Sequence, residues 1–133
     1  MKIIDSRKST FIAESRRHQI MEAAIRTLDE IGYAKASLAQ IARRAGISTA
    51  LISYHFADKI DLMNSLLVNL LASTTEYVEE RVQRERTPEA KLRAYIRASV
   101  DYLSAHLSRS IALIEFFFLV RKPDNVQYYR LQE

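Results

Sequence analysis

The residues best placed to do chemistry lie in "ARRAGISTALISYHFADK", Ala42 to Lys59. A short helix, Thr49 to Phe56, is expected there between Arg43-Arg44 and Lys59, yet Ala45 to Asp58 holds no Lys or Arg. At 100° per residue, turning Ile52 and Phe56 inward points Ala50 and Tyr54 outward with Leu51 beside them. Ser53 and His55 then lie on the flanks and Thr49 near the inner edge. Such a face suits the reading of base edges. Leu51 can press on a thymine methyl, and Tyr54 can offer its hydroxyl to a base or a phosphate. Positive charge is needed at phosphates rather than at base edges. Arg16, Arg17, Arg43, Arg44 and Lys59 supply it from the flanks. Arg43 and Arg44 are adjacent and point about 100° apart, so one is expected near DNA and the other beside an acid.

Other chemistries find no residues to carry them. Cys is absent, which removes disulfides, thiolate catalysis and Cys-based zinc sites. His18, His55 and His106 have no metal-ligand spacing. Asp29-Glu30 and Glu79-Glu80 read as surface carboxylates, and no Ser-His-Asp group or phosphate-binding glycine loop can be assembled. The expectation is no enzyme, no metal and no cofactor. The net charge is +4, and residues 1–59 carry all of it, with ten Lys/Arg against six Asp/Glu. A basic end joined to a neutral end is the footprint of a nucleic-acid head on a second module. No signal peptide is visible, and the longest apolar run, Ile111 to Val120, is about half of a membrane span. A soluble, cytoplasmic protein with no membrane partner is expected.

With two Gly and two Pro in 133 residues, the chain reads as all-α, with long elements and few turns. Residues 1–13 look like an irregular basic arm, whose Arg7 and Lys8 either lie in a solvated tail, the reading favoured, or enter a minor groove. The first helix is expected from Glu14 to Ile31, ended by Gly32. Ser37 and Gln40 form a capping box for the second, which Gly46 ends, and Ser48 caps the third. A long fourth helix runs from Lys59 to Arg86, capped by Asp58, with a stripe from Met63 to Val82. "TPEAKL" opens the fifth, with Thr87 as cap and Pro88 in the first turn. That helix carries Leu92, Tyr95, Ile96, Ser99, Leu103 and Leu107 on one side. The sixth, Ser108 to Arg121, is apolar almost all round and is stopped by Pro123. A helix apolar on every side must be covered on every side. Either a second chain or a continuation past Glu133 is expected to complete that cover. The domain expectation is an arm over 1–13, a helix-turn-helix head over 14–58 with its motif at 37–56, and a truncated helical domain over 59–133.

The sequence resembles the TetR family of transcriptional regulators. The likeness rests on "IMEAAIRTLDEIGY" (Ile20 to Tyr33), on Ser37 followed by "IARRAGIS", and on His55-Phe56, Lys59 and Leu62. It covers about residues 14–66. The family often has Gly or Pro where Ala50 stands and Tyr where Ser53 stands; here the aromatic is one place on, at Tyr54. The resemblance implies operator DNA bound by a homodimer and a C-terminal helical domain that holds a small-molecule pocket and the dimer interface. It also implies helices beyond the end of this chain. The DNA-binding set is then Arg16, Arg17, Ser37, Arg43, Arg44, Thr49, Ala50, Leu51, Ser53, Tyr54, His55 and Lys59. Tyr95, Ser99, Tyr102, His106 and Phe117 are the candidates for an effector pocket. The expected function is a ligand-responsive repressor on a palindromic operator. The rival expectation is a helical protein-interaction module with a vestigial head.

Overall fold

The computed structural model describes residues 2–119, with side chains for residues 7–118. Six helices run in order: α1 Lys2–Lys35, α2 Leu38–Ala45, α3 Thr49–His55, α4 Lys59–Gln83, α5 Pro88–Ala105 and α6 Leu107–Leu119. No strand occurs among the described residues. The chain divides into two compact units, Met1–Leu62 and Met63–Glu133. The expected end of the sixth helix at Arg121 and its stop at Pro123 lie outside the described residues.

Local chemistry sets the boundaries of the first unit. Gly32 sits at φ 72°, ψ 177°, so the regular run of α1 breaks there and only a kinked turn continues to Lys35. The Ser37 hydroxyl accepts the Gln40 amide at 3.2 Å, and the Gln40 side chain accepts the Ser37 amide at 2.9 Å. Both donors would otherwise be orphans of the first turn of α2. Removing the hydroxyl (Ser37→Ala) is expected to lower stability by about 1 kcal/mol, read from thermal unfolding. Gly46 closes α2 in the left-handed region at φ 70°. Its amide bonds to the Arg43 carbonyl and the Ile47 amide to the Ala42 carbonyl, the Schellman pattern. Asp58 accepts the Asp61 amide at 2.8 Å, and Asp61 in return accepts the Ala57 amide at 2.9 Å.

These caps place Ile20, Ala24, Leu28, Ile41, Ala42, Ile52, Phe56 and Leu62 in one buried core. Thr27 is the buried polar residue of this core, and its hydroxyl bonds back to the Ala23 carbonyl at 2.8 Å. Residues 2–13, expected as an irregular arm, are instead helical and continue α1 towards its N-terminus. The sequence "KIIDSRKSTFIAES" holds no Gly or Pro to stop them.

In the second unit, Met63, Leu66, Leu67, Leu70 and Val78 bury the expected stripe of α4, while Leu71 is exposed. The helix ends at Gln83, three residues before Arg86. Thr87 caps α5 by accepting the Ala90 amide at 3.2 Å, and Pro88 opens it. α5 buries Ala98, with Ala90 and Ala94 half-buried on the same side. Leu92, Tyr95, Ile96 and Leu103, the expected apolar side, are exposed. Alanines four residues apart form a flat face that allows close approach of a neighbouring helix. α6 buries Ser110, Ala112, Leu113 and Phe116 and exposes Ile111, Ile114 and Phe118. No helix among the described residues is long and apolar enough to cross a membrane.

Candidate nucleic-acid interface

α3 presents the face that the helical wheel requires. Ile52 and Phe56 are buried, Thr49, Ala50, Ser53 and Tyr54 are exposed, and Leu51 and His55 are half-buried. Tyr54 is 81% exposed, the most open large apolar side chain of the described residues. Its ring meets the His55 ring edge-on at 5.1 Å and 86°, which limits the directions the phenol can take. The Ser53 hydroxyl bonds back to the Thr49 carbonyl at 3.2 Å. Its oxygen keeps acceptor capacity towards solvent.

The flanking cations fall into two groups. Arg43 is exposed and forms no ion pair among the described residues. Arg44 makes a two-pronged bond to the Glu30 carboxylate, one arm at 2.8 Å. That bond holds Glu30 below the ordinary carboxylate range and raises Arg44 further. Of the adjacent arginines, then, Arg44 is the one beside an acid and Arg43 the open one.

Arg17 is tied inward. Its guanidinium donates to the His55 carbonyl at 3.0 Å and lies 4.2 Å from the centre of the Phe56 ring. It caps the C-terminal end of α3 from α1, where a cation also favours the helix dipole. Arg16 is half-buried and bonds to Gln19 on its own helix at 3.0 Å. Ser37 is half-buried, with its hydroxyl engaged in the α2 cap. Lys59 donates to the Tyr33 carbonyl at 2.7 Å, and its ammonium sits 4.1 Å from the centre of the Tyr33 ring. Burial lowers its pKa from the ordinary lysine value.

Two residues outside the expected set shape this surface. Gln19 donates to the Ala45 carbonyl at 2.7 Å, closing the end of α2 from α1. Tyr33 carries Lys59. Gln19 left no signal in the sequence and Tyr33 only its place at the end of "IMEAAIRTLDEIGY"; neither contact was legible, because each partner lies 26 residues away.

In the second unit, Tyr102 lies 5.2 Å from the Tyr77 ring and 4.8 Å from the His106 ring, all three half-buried. Tyr95 is exposed, and the Ser99 hydroxyl bonds to the Tyr95 carbonyl at 2.7 Å. Phe117 is half-buried and meets Phe118 edge-on at 5.1 Å. A cleft of about 510 Å³ opens along α5 and the end of α4, lined by Arg81, Arg84, Arg93, Arg97 and Asp101 among others. None of Tyr95, Ser99, Tyr102, His106 or Phe117 lines it.

Comparison with known proteins places this arrangement. Residues 20–66 match the family described as bacterial regulatory proteins, tetR family. The chain is 38% identical over 88 residues to the HTH-type transcriptional regulator BetI of Pectobacterium atrosepticum, covering 65% of this chain and 45% of that one. It is 32% identical over 120 residues to the BetI of Yersinia pestis, covering 89% and 60%. The chain thus spans about half the length of the curated relatives it matches. Among solved structures it resembles the fatty acid degradation regulator FadR from Bacillus halodurans, with a TM-score of 0.66 and 25% identity over 72% of this chain and 51% of that one. The match falls on the capped helix-turn-helix unit built above, which over residues 20–66 is that of the TetR family of bacterial regulatory proteins.

Proposed function

We propose that the chain is a sequence-specific DNA-binding transcriptional regulator, with α3 as the helix that enters the major groove. The observation that carries this is the solvent face of α3. Ala50, Leu51 and Tyr54 point away from the core, and the open cation Arg43 stands at the preceding turn. Small and apolar groups read base edges and methyls, while the cations hold phosphates. Phosphate contacts from Arg16, Arg43, Ser37 and Lys59 would set the register. Arg17 and Arg44 would act through the shape of the head.

Within the same proposal, the whole protein is a cytoplasmic, ligand-responsive repressor that meets a palindromic operator as a homodimer. Two half-sites would then lie roughly 34 Å apart, or a multiple of that. The exposed apolar side chains Leu92, Ile96, Leu103, Ile111, Ile114 and Phe118 support an interface carried by α5 and α6. The Tyr77–Tyr102–His106 cluster supports an effector site in the second unit, with Ser99, Tyr95 and Phe117 as its outer candidates.

The test is a fluorescence-anisotropy titration against random duplex DNA at two salt concentrations. The expected result is binding that weakens steeply as salt rises. Binding that is absent, or indifferent to salt, sinks the proposal and favours the protein-interaction module.

A further inference from the structure

Lys59 and Tyr33 form a close long-range cation contact beside the α3 face. The Lys59 ammonium is held from two directions: the Tyr33 carbonyl takes one of its hydrogens at 2.7 Å, and the ring face lies 4.1 Å below it. An ammonium has three donors, so two remain for an anion. The ring itself is partly enclosed. Tyr33 follows the break at Gly32 and is half-buried. Burial, and then the nearby Asp58 carboxylate, raise the pKa of its phenol. A free lysine gives up considerable rotamer entropy when it is immobilised on a phosphate. Here that entropy is already lost in folding.

We infer that Tyr33 is a positioning residue for DNA binding: its ring and carbonyl aim the Lys59 ammonium at a backbone phosphate before DNA arrives. The inference rests on the DNA-binding reading above. It separates two roles that a single lysine variant would merge. Lys59 supplies the charge, and Tyr33 supplies its direction.

The experiment uses the full chain and a random-sequence duplex, since a phosphate contact carries no sequence information. Affinity is measured by anisotropy across a range of salt. Lys59→Met should weaken binding and reduce the salt slope by about one. Tyr33→Leu keeps apolar bulk but removes the ring face. It should weaken binding roughly three- to tenfold with the salt slope unchanged, because the ion count is the same. Tyr33→Phe should bind like the parent chain. In the Lys59→Met background, Tyr33→Leu should have no further effect on affinity. Should Tyr33→Leu unfold the head, pentafluorophenylalanine at position 33 takes its place. It keeps the shape of phenylalanine and removes the negative ring face, so it should weaken binding where Tyr33→Phe does not.

Three results overturn the inference: Tyr33→Leu binding like the parent, an equal loss with and without Lys59, or an equal loss in Tyr33→Phe. Absence of salt-dependent binding by the parent overturns the DNA-binding reading and this inference together. A parent that binds normally, with no coupling between the two positions, overturns this inference alone.

Discussion

Truncating Phe56 (Phe56→Ala) should cost about 3–5 kcal/mol and melt the head, with DNA binding lost as a consequence. Phe56 is 1% exposed and stands among the largest fully buried side chains. It caps the C-terminal end of α3, so its ring anchors that helix to the core from this side. It also supports the Arg17 guanidinium, 4.2 Å from its ring centre. Removing the ring leaves a cavity and takes the packing surface from a cation that closes α3. A loss of this size is a large share of the roughly 5–15 kcal/mol that stabilises an ordinary domain. Urea unfolding followed by circular dichroism reads the stability, and anisotropy reads the binding. A variant that melts like the parent would place Phe56 outside the core of the head.

The opposite pattern is expected at Tyr54. Tyr54→Ala should leave unfolding within about 0.5 kcal/mol of the parent, because the side chain is 81% exposed. Affinity for the preferred operator, first isolated by selecting bound duplexes, should fall by about 1–3 kcal/mol. Selectivity should drop at one or two base positions, while binding to random DNA changes little. The edge-on contact with His55, at 5.1 Å, gives the phenol a preferred direction, so the loss should exceed that of a freely rotating ring. Tyr54→Phe then separates the hydroxyl from the ring. Retention of both affinity and selectivity in Tyr54→Ala would remove α3 from the major groove. Stability against affinity is therefore the measurement that separates the inward residues of α3 from the outward ones.

That division between inward and outward residues was legible in the chain itself. A short helix with Ile52 and Phe56 four places apart has one way to bury both, and Tyr54 must then face away. The partners of the flanking cations were not. Arg17 reads as one more basic residue, yet its bond is to a carbonyl 38 residues on. Arg44 and Arg43 are the same residue type side by side. Only the approach of α1 to α2 brings Glu30 to one of them, 14 residues away in sequence. The same limit applies to α5. Its sequence offers two usable faces, one of alanines and one of larger apolar residues. The structure half-buries or buries the alanines and leaves Leu92 and Ile96 exposed.

By itself, then, the sequence determined the helix-turn-helix elements, the caps of α2, α3 and α5, and the inward side of α3. Capping boxes, left-handed glycines and helical stripes are decided by atoms within about one turn of each other. Tertiary structure alone decided which charges stay open to a phosphate. Arg17 is drawn to a carbonyl and an aromatic face that folding delivers, and Arg44 to a carboxylate on another helix, while Lys59 gives one hydrogen to a carbonyl and keeps two. Arg43 keeps its charge open because no such group is brought to it among the described residues. A side chain's charge is fixed by its type, but its free valence depends on what the fold places within hydrogen-bond reach.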